Sequence, residues 1–240
     1  MSAPQPHTPP RIREPLSVFD LGTVPYLPTQ SLQAELRARV ARGALPGVLL
    51  LLEHEPVITL GSRGSARDVV SPALVEHRGI SVLPSERGGA ATLHAPGQLV
   101  SYPIMPIPRR DLRAYVRALE QVLIDLLVTV GVHAGRRQGA PGLYVRESKI
   151  ASVGLRCQRW VASHGTSLNV SVDLTLFDAI VSCGEADLRQ TSVLRETGVG
   201  MSMGRVKDLY SEAFAEVFGI HVLPTESVGL GELRARSAAR

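Results

Sequence analysis

The sequence predicts an α+β domain, a mixed and mostly antiparallel sheet packed against helices. Two observations carry this. First, amphipathic helical stretches and short β-branched runs are interspersed without strict alternation, as "DLRAYVRALEQVLIDLLVTVG" (111–131) and "KIASVGLRC" (149–157) illustrate. Second, the chain is 44% hydrophobic and 20% charged but only 4% aromatic, which suits an ordinary core of Leu, Val, Ile and Ala. Across 240 residues there is no internal repeat and no linker-like break, so a single domain is expected.

Residues 1–15 hold five of the 17 prolines and almost no apolar pattern, which predicts a disordered tail. The domain is expected over 16–225, and 226–240 is expected to be a second flexible tail. "SLQAELRARVARG" (31–43) reads as an amphipathic helix with a Ser cap and a closing Gly. "GVLLLLEHEPVITLG" (47–61) reads as two strands broken at Pro56. "SPALVEHRG" predicts a short helix, "ISVLPSE" a strand, and "GQLVSYPIM" (97–105) a strand ended by prolines. In the clearest helix, Leu112, Tyr115, Leu119, Val122, Leu126 and Val130 recur at spacings of three and four, with Asp111 as cap and Gly131 as stop. "GLYVR", "KIASVGLRC" and "TSLNVSVDL" predict three strands, and "RVKDLYSEAFAEVFG" (205–219) a last helix.

Several classes are excluded. No apolar run approaches the ~18 residues of a membrane span. The N-terminus lacks a signal-peptide core, so a cytoplasmic protein is expected. The two cysteines form no disulfide framework and no zinc-site spacing. There is neither a G-x-x-x-x-G-K-[ST] nor a G-x-G-x-x-G phosphate loop. Of the 26 basic residues only Lys149 and Lys207 are lysines. Lys can give up its proton inside a protein and Arg cannot, so these two positions stand out.

Three polar, glycine-rich stretches interrupt the core pattern. In "RGGAATLHAPGQLVSYP" (87–103), Gly88 and Gly89 permit close backbone approach to a ligand, with Arg87 before them and His94 after. A hairpin loop with an incidental His fits equally well. In "ESKIASVGLR" (147–156), Lys149 opens an apolar strand, where desolvation would lower its pKa and allow it to act as a base. An edge-strand Lys that discourages aggregation is the commoner local case. In "FDAIVSCGEADL" (177–188), Cys183 lies in a glycine-flanked turn after Phe177 and Ile180. A thiolate needs a positive neighbour, and Lys149 is the best candidate. Cys157, inside a strand-like segment, reads as structural. "SHGTSLNV" (163–170) adds a Gly turn, a His and an Asn. Spacing alone stops at a Cys nucleophile with Lys or His as base.

Taken together, these stretches resemble the lipoyl(octanoyl) transferase family over residues 45–195. "EHEPVITLGSRG", "RGGAATLHAPGQLVSYPI" and "PGLYV…KIASVGLR…SHGTSLNVSVDL…F…I..CG" are similar to its signatures, in order and spacing. Two positions depart from the family pattern: Ala95 where Gly is usual, and Ser182 where Pro precedes the Cys. The first adds a methyl to the binding loop. The second removes a fixed φ beside the nucleophile.

The resemblance implies the fold shared with biotin and lipoate protein ligases, and no cofactor or metal. It implies octanoyl transfer from acyl carrier protein to a lysine of lipoyl domains, those of 2-oxoacid dehydrogenases and the glycine cleavage H protein. Neither nucleic acid nor membrane is implied as a partner, and a monomer is expected. Cys183 would carry the acyl group as a thioester and Lys149 would take its proton. The substrate-contacting stretches carry over as Arg87, Gly88, Gly89, Ala90, Ala91, Thr92, Leu93 and His94, then Ser152, Val153 and Gly154, then Gly165, Thr166 and Ser167. His94 would either orient the Lys–Cys pair or donate to an oxyanion, which glycine turns near Gly154, Gly165 or Gly184 would also stabilise. Leu93, Tyr144, Val153 and Leu168 are candidates for an acyl slot. Arg63, Arg67, Arg109, Arg110, Arg113, Arg136 and Arg137 are candidates for docking an acidic partner. Three rivals remain: an ATP-dependent ligase of the same fold, a non-catalytic binding protein, and a papain-like thiol hydrolase using His164 and Asn169.

Overall fold

The computed structural model describes residues 15–185 and 187–238, with Cys183 and Ala238 described by backbone alone. The tail expected over 1–15 lies outside the described residues, apart from Pro15. In chain order the elements are β1 (Ser17–Val24), α1 (Tyr26–Ala41), β2 (Val48–His54), β3 (Val57–Leu60), α2 (Pro72–His77), β4 (Ser81–Pro84), β5 (Ala91–His94) and β6 (Gln98–Ile104). There follow α3 (Leu112–Thr129), β7 (Gly135–Arg137), β8 (Ala140–Val145), β9 (Ser148–Gln158), β10 (Val161–Asn169), α4 (Val193–Thr197), α5 (Met203–Phe218), β11 (Glu226–Ser227) and α6 (Leu230–Ala238).

Pro56 divides one apolar run between two sheets. Before it, β2 enters an eight-stranded sheet of order β11-β1-β2-β6-β10-β9-β8-β7; after it, β3 is the middle of a three-stranded sheet, β4-β3-β5. The pairs β1–β11, β1–β2 and β3–β4 are parallel and the other ladders antiparallel, so the sheet is mixed and mostly antiparallel. Side chains of a strand alternate faces, so the leucine run of β2 needs cover on both sides. Leu49 and Leu51 enter a core with Tyr115, Leu119 and Leu123 of α3 and Phe214 of α5. Leu50 and Leu52 enter a second core with Leu32 and Leu36 of α1. The small sheet builds a third around Ile58, Leu93, Phe177 and Ile180.

Local signals account for most boundaries. Asp111 Oδ1 accepts from the Ala114 amide at 2.9 Å and caps α3. Ser202 caps α5, and Gly219 ends it in the left-handed region. Helix α1 differs from expectation. It starts at Tyr26, behind Pro25 and with no side-chain cap, and Ser31 lies mid-helix with its hydroxyl donating to Leu27 O at 3.2 Å. Residues 226–238 are not a loose tail. β11 extends the sheet beside β1, and Val228 and Leu233 are buried in the α1-side core. Among the described residues no helix is long and apolar enough to cross a membrane.

Candidate active site

The loop between β4 and β5 is built around Arg87, which is buried and donates to backbone carbonyls and to the Thr59 hydroxyl. Nη2 donates to Thr59 O at 2.6 Å and to Ala90 O at 2.8 Å; Nη1 donates to Gly88 O at 3.0 Å; Nε donates to Thr59 Oγ1 at 3.1 Å. The Gly88 amide donates to Leu155 O at 2.8 Å, which ties this loop to β9 of the large sheet. Gly61 is required beneath it, because a Cβ there would lie 2.5 Å from Gly89 O.

A cavity of about 330 Å³ opens where this loop meets β9 and β10. That is near the lower bound for a small-molecule site. Of the sequence candidates, Arg87, Gly88, Gly89, Ala90, Thr92 and His94 line it from the loop and β5. Lys149, Ser152, Val153 and Gly154 line it from β9, and Gly165, Thr166 and Ser167 from β10. Ala91 and Leu93 do not: strand alternation turns both into the third core. Of the expected acyl-slot residues, Tyr144 and Val153 face the cavity, whereas Leu93 and Leu168 are core. Sequence reasoning missed Leu112 and Val116 of α3, Tyr26 and Tyr102 as wall residues. Leu112, the first member of the apolar periodicity of α3, is 40% exposed and lies at the cavity edge.

Lys149 is 3% exposed. Its stem crosses Gly142, where a Cβ would come within 2.9 Å of Lys149 Cε, and its Nζ lies 5.4 Å from the centre of the Tyr144 ring. The Lys149 amide donates to Arg189 O at 2.8 Å and its carbonyl accepts from the Thr191 amide at 2.9 Å. The segment following the cysteine is thereby stitched to the strand that carries the lysine. Cys183 occupies a short 3-10 turn, Ser182–Gly184, that packs against β5. The turn is held by Val181 N donating to Asp68 O at 2.7 Å and Glu185 N donating to Ser182 O at 3.0 Å. The Cys183 side chain lies outside what the structure describes. Glu185, two residues on, lines the cavity and pairs with Arg137 at 3.0 Å.

His94, His164 and Tyr102 form the polar floor, with the His54 ring packed against His94 and Tyr102 outside the lining. His54 Nδ1 donates to Val24 O at 3.0 Å, so its Nε2 accepts from Tyr102 OH at 2.8 Å. The His54 and His94 rings lie 5.7 Å apart, and Tyr102 and His164 5.9 Å. Burial pushes His54 down to about 4 and His94 and His164 to about 3; neighbouring His54 adds to the effect on His94, and Arg87 to that on His164. All three are neutral at pH 7.

Four further expectations change. Gly154 and Gly165 are opposed in the β9–β10 ladder, not in turns. A Cβ on Gly165 would lie 2.2 Å from Ser101 O, so this glycine admits β6 at close range. Cys157 is exposed, not structural. The Ala95 methyl packs in the third core and does not narrow the cavity. Arg136 pairs with buried Glu120 at 3.0 Å, so it and Arg137 have intramolecular partners. Among the described residues no group of three or more His, Cys, Asp or Glu could hold a metal ion.

Residues 25–215 match the model of the lipoyl protein ligase A/B catalytic domain. The chain is 41% identical over 211 residues to an octanoyltransferase of Solibacter usitatus, covering 87% of this chain and 95% of that one. It is 43% identical over 210 residues to an octanoyltransferase of Gloeobacter violaceus, covering 86% and 92%. Its fold resembles that of a lipoate-protein ligase A crystallised with ATP, with a TM-score of 0.73, 16% identity and 94% of each chain covered.

Proposed function

This chain belongs to the lipoyl protein ligase A/B catalytic domain family, and from that premise we propose that it is an octanoyltransferase. It would move an octanoyl group from acyl carrier protein to a lysine of lipoyl domains, in protein lipoylation. The acceptors would be 2-oxoacid dehydrogenase lipoyl domains and the glycine cleavage H protein, met by a monomer. The observation that carries the reading is Lys149. It is a buried lysine lining a cavity, on the strand to which the segment after Cys183 is stitched.

In the first step the Cys183 sulfur bonds to the octanoyl carbon as the carrier's C–S bond breaks. Lys149 takes the thiol proton and returns it to the departing carrier thiolate. In the second step the incoming amine forms a C–N bond, the Cys183 C–S bond breaks, and Lys149 takes the proton from nitrogen. Exchange of thioester for thioester is nearly isoenergetic and thioester to amide is downhill, so no ATP is consumed. Arg87 to His94, Ser152 to Gly154 and Gly165 to Ser167 would hold the substrate. In this role Ala91 and Leu93 act by supporting the loop from behind.

A second reading, ATP-dependent ligation, is favoured only by the fold shared with a ligase that binds ATP. One experiment separates the two. Octanoyl carrier protein and apo lipoyl domain are incubated with the protein without ATP, and all three are weighed by mass spectrometry. An octanoyl adduct on the wild type that disappears in Cys183→Ser, with transfer to the domain, is expected. Transfer that requires ATP, or an undiminished adduct in the variant, would sink the proposal.

A further inference from the structure

One polar chain joins the cavity wall of the small sheet to that of the large one, and its protons can be placed in order. It starts at the backbone carbonyl of Thr191, which can only accept. Asn169 Nδ2 donates to it at 3.0 Å, which fixes the Asn169 amide and leaves Oδ1 as an acceptor. Gln98 Nε2 donates to that Oδ1 at 2.8 Å and to Leu93 O at 3.3 Å. The atom of Gln98 that faces His94 Nδ1, 2.6 Å away, is therefore Oε1. A side-chain carbonyl accepts, so Nδ1 carries the proton, and in a neutral ring Nε2 is then a lone pair. Burial keeps the ring neutral. All four residues are buried, where a missing partner is costly. No other ring nitrogen contact engages His94: Nε2 makes no hydrogen bond among the described residues.

We infer that Gln98 is a positioning residue: it holds His94 so that Nε2 meets the cavity as an acceptor for an N–H of the incoming amine. The inference rests on the transfer reading above. An acyl thioester offers a carbonyl oxygen, a sulfur and methylenes at its reacting centre, and no donor. The attacking amine does bring N–H groups. An acceptor in a cavity that also presents Arg63, Arg87 and Lys149 suits the amine and not the thioester. Held by one N–H, the nitrogen presents its lone pair to the acyl carbon, and orientation of this kind lowers the barrier. His94 stays neutral throughout; the proton leaves nitrogen for Lys149 as the C–N bond forms and the C–S bond breaks. The same tautomer excludes His94 as an oxyanion donor. Asn169 fixes Gln98, and through Thr191, whose amide donates to Lys149 O at 2.9 Å, the chain ends on the strand residue that bears the base.

Long-range ¹⁵N–¹H NMR of the histidine-labelled full chain reads the tautomer directly. At pH 7 His94 is expected to be protonated at Nδ1 alone; an Nε2–H or doubly protonated ring overturns the inference. In Gln98→Met the tautomer should become mixed. Transfer from preformed octanoyl-enzyme to the lipoyl domain should slow by roughly ten- to a hundredfold, with adduct formation from octanoyl carrier protein kept within about twofold. Unchanged transfer with a changed tautomer would refute the role, as would equal loss of both steps. Should the variant not fold, the wild-type tautomer still decides. Absence of any octanoyl adduct on the wild type would instead condemn the transfer reading, leaving the tautomer measurement intact.

Discussion

At the scale of single residues, the site combines one buried lysine with two buried imidazoles and a third packed behind them, and the lysine and the imidazoles each make a prediction. Lys149→Arg keeps the charge but widens the head group where Gly142 and Tyr144 confine the stem. Arg also cannot serve as a base. Turnover should fall by roughly a hundredfold or more, with the thermal midpoint measured alongside to exclude unfolding; wild-type turnover would mean that charge alone suffices. The histidines predict a pH dependence of stability. His54, His94 and His164 are held at about 4, 3 and 3 by burial. The unfolded chain takes up these protons near pH 6.5. Between 6.5 and the folded values the unfolded state binds more protons, so stability is full above about 6.5 and falls as the pH drops toward 4. Going from about pH 7.5 to 5.5 should cost about 1.4 kcal/mol per ring, about 4 kcal/mol in all. Urea midpoints across that range are the check, and a flat profile would show that the rings titrate alike in the folded and unfolded chain.

At the scale of elements, the C-terminal segment is the part whose role sequence reasoning misjudged. "GELRARSAAR" carries one leucine among charged and small residues, so by itself it has no stripe to bury. It becomes a helix because a partner is supplied: Val228 and Leu233 insert beside α1, and Arg39 Nη1 donates to Ser237 O at 2.7 Å. Burying the two side chains stabilises by about 4 kcal/mol. Ending the chain at Thr225 should therefore lower the melting temperature by roughly 10 °C. A midpoint within a degree or two of the full chain would show that β11 and α6 are passengers. The same contrast explains the other elements. Helix α3 was legible because its apolar stripe, its Asp cap and its stop are all local. The "SHG" stretch was not, since glycine reads locally as a turn. It is the approach of β6, non-local in sequence, that requires Gly165 inside a strand.

At the scale of the whole molecule, the cavity exists because two sheets meet, and that meeting is what the sequence conveys least. The chemical groups were legible: Lys149, His94 and the loop from Arg87 stand in polar stretches that core patterning does not explain. Gln98 was not, and Asn169 was legible only as a possible partner of His164, because their meaning lies in pairing opposite each other across β6 and β10 while Gln98 reaches His94 on a different sheet. The docking face is similarly a property of the assembled fold. Arg136 and Arg137 are engaged with Glu120 and Glu185, and exposed Arg63, Arg67, Arg110 and Arg113 form the candidate face. Arg63 lines the cavity, and Arg110 and Arg113 flank Leu112 at its edge. With a net charge of +4 reinforcing it, this face should steer an acidic carrier by long-range attraction that salt screens. Raising ionic strength from about 0.05 to 0.3 M should then lower kcat/KM for the protein-borne octanoyl thioester several-fold while leaving a small neutral octanoyl thioester nearly unaffected. Reversing charge at Arg110 and Arg113 should reproduce the loss at low salt and flatten the salt dependence. Equal sensitivity of both donors would place the effect in the chemistry and not in docking, and a salt-insensitive carrier reaction would remove the arginine face from the account of recognition.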